Sequence, residues 1–236
     1  MKKIIVFVLI MALCVPTLFS CGLIDKITGG DDKVTPAQTV AAMYKMSEPT
    51  KIVATTKQNI GGLELNCSYE LITGYVDNRP ASIYIVNTEE IRSVEDGGDN
   101  EEVKDIIKKT SSKTEAIEGT GSRVNGGEWN PTGTPLKIFR GGMALNLDEA
   151  CMSNVKYENN TLTFTVSAAN AKTVLGEEYA KNISSDVDVT IVDDGAVIAS
   201  VELHYFLKGN ESINLVDSEM TVKVLYTYDL ERITME

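Results

Sequence analysis

The amino-acid sequence predicts an α+β fold that is mainly antiparallel β: a curved, half-barrel-like sheet partly covered by a few short helices. Three observations lead there. Apolar residues alternate with polar ones over long stretches of the last third: Val187, Val189 and Ile191; then Val197, Ala199, Val201, Leu203, Tyr205 and Leu207; then Met220, Val222, Val224, Tyr226 and Tyr228. A period of two marks strands with one buried face. Turn formers, among them Gly61-Gly62, Asn159-Asn160 and Asp193-Asp194-Gly195, separate such stretches as hairpins do. Helical signals are few, so the aligned apolar rows outnumber the helices that can cover them.

The chain opens on Met1-Lys2-Lys3 and an apolar run over residues 4–15, which Pro16 interrupts. A basic patch before an apolar segment of that length is the layout of a secretory signal. A spanning helix needs about 20 apolar residues. The uncharged stretch 4–24 just reaches that length, but Pro16, Thr17 and Ser20 weaken its second half. Leu18-Phe19-Ser20-Cys21 resembles the lipobox of bacterial lipoproteins, with a Leu three before the acceptor Cys and a small residue one before it. Phe19 stands where that family usually has a small or β-branched residue. The resemblance implies that residues 1–20 are a signal peptide and that Cys21 becomes the first mature residue. Cys21 then carries acyl chains such as palmitate on its sulfur and amino group and anchors the protein to a bacterial membrane from outside the cytoplasm. Multiple acyl chains hold far more firmly than a single myristoyl group. Residues 21–34, polar and Gly-containing, then serve as a flexible tether.

Thr35 is placed to cap a short helix with Pro36 at its first position, and Val40, Met43 and Tyr44 share one face with Ala37 and Ala41 beside them. Beyond Glu48-Pro49, strands over residues 50–60 and 63–73 flank Gly61-Gly62. In the second, Leu63, Leu65, Cys67, Tyr69 and Leu71 point one way and Glu64, Asn66, Ser68 and Glu70 the other. A third strand, residues 81–87, follows the turn at Asp77-Asn78-Arg79-Pro80. The acids at Glu95, Asp96, Asp99, Glu101 and Glu102 lack the alternation of a calcium loop. They read instead as a helix start: Asp99 and Glu102 form a capping box, Val103, Ile106 and Ile107 a helical stripe, and Lys108-Lys109 its basic end. Residues 111–129 are less regular, with a turn at Asn125-Gly126-Gly127. Trp129, at the edge of the loop 130–135, reads as a core plug. A hairpin over residues 155–166 turns at Asn159-Asn160, and a short helix through Ala171, Val174 and Leu175 ends at Gly176. Three strands close the chain, joined at Asp193-Asp194-Gly195 and Gly209-Asn210.

With 43% hydrophobic and 24% charged residues, this is globular material. The 34 acidic residues against 22 basic ones leave a net charge of −12, and loss of Lys2 and Lys3 with the leader takes it to −14. Such a body repels nucleic acid and anionic headgroups, so membrane contact is expected through the acyl chains. Cys67 and Cys151 are the cysteines of the folded part; a disulfide between them and two reduced thiols are both consistent with an exported protein. One His in the whole chain argues against a zinc site of ordinary composition. That residue, His204, lies with Ser200, Glu202 and Phe206 on the more polar side of its strand. No G-x-S-x-G, H-E-x-x-H, Walker or dinucleotide motif occurs. The expectation is a protein that is not an enzyme and takes no cofactor.

The opening "PAQTVAAMYKMSEPTKIVATTKQ", a helix feeding a Thr-rich strand, and the closing "VTIVDDGAVIASVELHYF", two strands about an Asp-Gly turn, resemble the half-barrels of LolA- and LppX-type lipoprotein carriers. That resemblance covers residues 35–236 as a single domain. It implies a non-catalytic binding or carrier domain for an apolar ligand such as a lipid or lipoprotein, held in a cavity lined by the apolar rows. Two alternatives stand beside it. Helix, strand, Gly turn, strand, strand describes residues 35–92 and again 168–234, which would make two similar lobes, 35–130 and 131–236. A fully packed core would instead make the protein a surface interaction or envelope assembly module.

Overall fold

Ten strands form, and within each half of the chain every strand lies beside the one before it. The computed structural model describes residues 34–46, 48–60, 63–95, 102–136, 145–209, 216–228 and 235. The export segment, Cys21, nearly all of the tether, Gly61-Gly62 and the acidic residues 96–101 lie outside these. The strands are β1 (Lys51–Ile60), β2 (Leu63–Val76), β3 (Arg79–Glu95), β4 (Glu102–Ile117), β5 (Gly121–Val124), β6 (Met152–Glu158), β7 (Thr161–Val166), β8 (Val187–Asp193), β9 (Ile198–Leu207) and β10 (Ser218–Thr227). They form one open antiparallel sheet in the order β5-β4-β3-β2-β1-β10-β9-β8-β7-β6. Two five-stranded meanders thus meet where β1 pairs with β10, from Lys51 opposite Thr227 to Asn59 opposite Glu219. The two halves share a continuous hydrogen-bonded sheet. With so few short helices, α+β is a loose label for what is mainly β.

Turn chemistry sets the register. Ile60 faces Leu63, which leaves a two-residue connection at the Gly pair. Asp77 and Asn78 have φ of 49° and 64°, and Asn159 and Asn160 have φ of 49° and 59°. Both central residues of each hairpin are therefore left-handed, the condition of a type I′ turn, which Asn and Asp tolerate. Asn160→Val is expected to cost about 1–2 kcal/mol, read as a lower urea midpoint at unchanged slope. The last connection is longer than a two-residue turn, running from residue 208 to 217.

The helix expected after the acidic loop is a strand. Val103, Ile106 and Ile107 lie in β4, which pairs along β3, with Lys109 2.7 Å from Glu89 and Lys108 3.2 Å from Glu90. A register shift at Glu90/Ile91 leaves Ile107 as an extra residue between Ile106 and Lys108. That bulge breaks the alternation that would have marked a strand. Because β5 covers only Thr114 to Ile117 of β4, the bulge and lysines also blunt an edge open to other chains.

One face of the sheet, the inner face, carries the core. Helix α1 (Pro36–Met46) buries Ala37, Val40, Met43 and Tyr44 against it, touching β7 and β9. Its start is capped as expected, the Thr35 Oγ1 accepting from the Gln38 amide at 3.2 Å. Short helices α2 (Ala171–Leu175) and α3 (Glu177–Ala180) follow β7 and are separated by Gly176 at φ 90°. Val187, Ile191, Val201 and Leu203 are 0% exposed and Val189 and Tyr205 1%. A side chain with no accessible area faces no gap the size of a water molecule, so these rows form a closed core. They do not line the cavity expected of them.

Candidate functional site

The closed core stops partway across the sheet. Its buried members come from β7, β8, β9, β10, the helices and Leu145, with Ile52 and Ala54 of β1 packed at its margin. The apolar row nevertheless continues on the same face. Thr56 pairs with Cys67 and Ala54 with Tyr69, so β2 presents Leu63, Leu65, Cys67, Tyr69 and Leu71 there. Tyr84 of β3 lies opposite Leu71, and Val86 opposite Tyr69. Leu65 and Cys67 are buried, while Leu63, Tyr69, Leu71, Tyr84 and Val86 are half-buried. The result is an apolar shelf beside the core.

Its phenols report the surroundings. Burial pushes the Tyr84 hydroxyl up to about 12, and burial reinforced by Cys67 raises Tyr69 further. Loss of water around a neutral group that ionises to an anion has this sign. Burial likewise raises the Cys67 thiol, against hydrogen bonds with Tyr69 and Thr56. Burial also raises the Tyr205 hydroxyl within the core. Two buried phenol oxygens, Tyr44 Oη and Tyr205 Oη, have no hydrogen-bond partner among the described residues.

Cys67 and Cys151 are free thiols, the first in β2 and the second at the 3-10 turn Glu149–Cys151. His204 does lie on the outer, polar face, its Nε2 2.8 Å from Glu219 Oε1 and its ring edge-on to Phe206 at 5.9 Å. Glu219 also accepts from Asn59 at 3.1 Å, and these two hydrogen bonds, His204 first, lower its carboxyl. Trp129 is half-buried in its loop instead of plugging the core. The Arg123 guanidinium lies 5.0 Å from its ring centroid, a cation–π contact. Among the described residues no three His, Cys, Asp or Glu side chains gather as a metal site, and no helix is long and apolar enough to cross a membrane.

Sequence reasoning found the β2 row but not Tyr84 and Val86 as its neighbours, because that depends on the β2–β3 register. No protein-family model matches this chain, and no curated protein matches it. Among solved structures it is weakly similar to a DUF1329 family protein from Desulfovibrio piger, at 8% identity and a TM-score of 0.26, covering 83% of this chain and 93% of that one. A likeness at that TM-score supports no inference about this chain.

Proposed function

We propose that this chain is a lipid-anchored, extracytoplasmic lipoprotein of a bacterial envelope, and that its body is a non-catalytic binding domain for an apolar ligand such as a lipid or an acylated protein. Lipidation at Cys21 fastens it, and the shelf of β2 and β3 takes the ligand. One observation carries the reading: the apolar row on the inner face runs on to β3, whereas the closed core ends at β1. Apolar area left open on Leu63, Leu71, Tyr84 and Val86 gains roughly 25 cal/mol for each Å² a ligand covers. The tyrosines add flat, rigid contact surface with a hydroxyl at one end. The packed rows of β7 to β10 favour a second reading, an interaction module without a ligand cavity, in which a partner protein covers the shelf.

Native mass spectrometry of the full chain extracted from membranes separates these. The proposal expects a mass equal to residues 21–236 plus acyl chains, together with co-purified lipid that is lost in Leu71→Asp. Protein that is reproducibly empty leaves the interaction module, and unacylated protein recovered from the cytosol overturns the anchor.

A further inference from the structure

The outer face of the sheet holds a groove of about 770 Å³, and its chemistry is unlike that of the shelf. Register lays its polar side chains in two rows running across the strands. One passes from Lys109 through Glu89, Asn66 and Lys57 to Thr221; the other runs from Asn87 through Ser68, Thr55 and Lys223 to Glu202. With strands about 4.8 Å apart, each row is an elongated track.

The charges in it are already matched. Lys109 lies 2.7 Å from Glu89, Lys57 2.7 Å from Glu64 and Lys223 3.8 Å from Glu202. What stays open is neutral: Asn87 and Ser68, half-buried and directly opposite each other across β3 and β2, make no side-chain hydrogen bond among the described residues. A carboxamide beside a hydroxyl offers two N–H donors, one O–H donor and acceptor lone pairs within one strand spacing. The acidic chain, at −12, repels polyanions, and a cation would have to take a carboxylate away from its lysine. A ligand suited to this track is uncharged, extended and rich in groups that donate and accept together. We infer that the outer groove is a binding site for a neutral, polyhydroxylated chain, a glycan, read chiefly by Asn87 and Ser68.

The test uses the full chain in detergent micelles against an array of neutral oligosaccharides and their carboxylated or sulfated counterparts, followed by titration of the best neutral binder. Saturable binding, insensitive to added salt, is expected. Asn87→Ala and Ser68→Ala should each weaken it about five- to tenfold, the effect of one lost neutral hydrogen bond, with an unchanged circular dichroism spectrum. Leu71→Asp on the inner face should leave it unaltered. Absence of any neutral binder, preference for the charged saccharides, or equal affinity in the Asn87 and Ser68 variants overturns the assignment.

Discussion

Phe164→Ala is expected to lower the unfolding free energy by about 3–5 kcal/mol, and Leu71→Ala by only about 1 kcal/mol. Both residues stand on the inner face, yet Phe164 is 3% exposed within the closed core under α1. Truncating it removes the transfer energy of the ring and leaves a hole that close-packed neighbours fill only in part. Leu71 is half-buried on the shelf, where water already reaches part of the side chain and can occupy what is vacated. Urea denaturation followed by circular dichroism measures both. The functional readout runs the other way: Leu71→Ala should cut lipid co-purification while folded Phe164→Ala retains it. Equal stability costs at the two positions would mean that the core does not end at β1, and the shelf would lose its meaning.

This contrast also shows which features the chain displays locally. Strands β7 to β10 are plain because each keeps alternation over at least six residues, and the β6–β7 and β8–β9 connections fall at turns that Asn, Asp or Gly can make. Helix α1 is plain because Thr35-Pro36 combines a cap with a residue suited to the first turn. β4 was hidden by its own bulge: with Ile107 inserted, Val103, Ile106 and Ile107 fall at the spacing of a helical stripe, and local pattern does not distinguish the two. The long β3 decides the matter by offering a ladder. The shelf and the groove are harder still, since each is a line drawn across strands. Glu89, Asn66, Lys57 and Thr221 look like separate solvated positions in the sequence. They become one row when the β1–β2, β2–β3 and β1–β10 registers are known, and the last joins segments at opposite ends of the folded part.

Arg123→Ala is expected to cost about 2–3 kcal/mol and to make stability fail at higher pH than in the parent. Glu115 on β4 has a side chain only 3% exposed, with Oε1 2.8 Å from Lys113 Nζ and Oε2 2.5 Å from Arg123 Nε. Burial alone would raise this carboxyl, but the two cations together outweigh it and hold it below its ordinary 4.5. A carboxyl depressed on folding stabilises the protein fully above about pH 4.5, and that contribution is lost as pH falls through the folded value. Glu115→Gln should therefore flatten the acid limb of the stability curve, and an unchanged limb would remove Glu115 from the account. In Arg123→Ala the carboxylate keeps only Lys113, which is 43% exposed and well screened. Desolvation then prevails, and the limb shifts upward. The consequence reaches the shelf, because Arg123 also packs on Trp129 and β5 bridges Asn130 through Ser122. Gly121 permits that approach: at φ +107° its backbone lies where a Cβ would be 1.9 Å from the Asn130 carbonyl oxygen. Farther along that loop the Leu136 amide donates to Ser82 Oγ at 2.9 Å, and Ser82 stands two residues from Tyr84 on the same face. Loss of Arg123 should thus loosen one end of the shelf and lower lipid occupancy near neutral pH, with a shift in Trp129 fluorescence marking the released loop. Retained occupancy together with that shift would separate the loop from ligand binding.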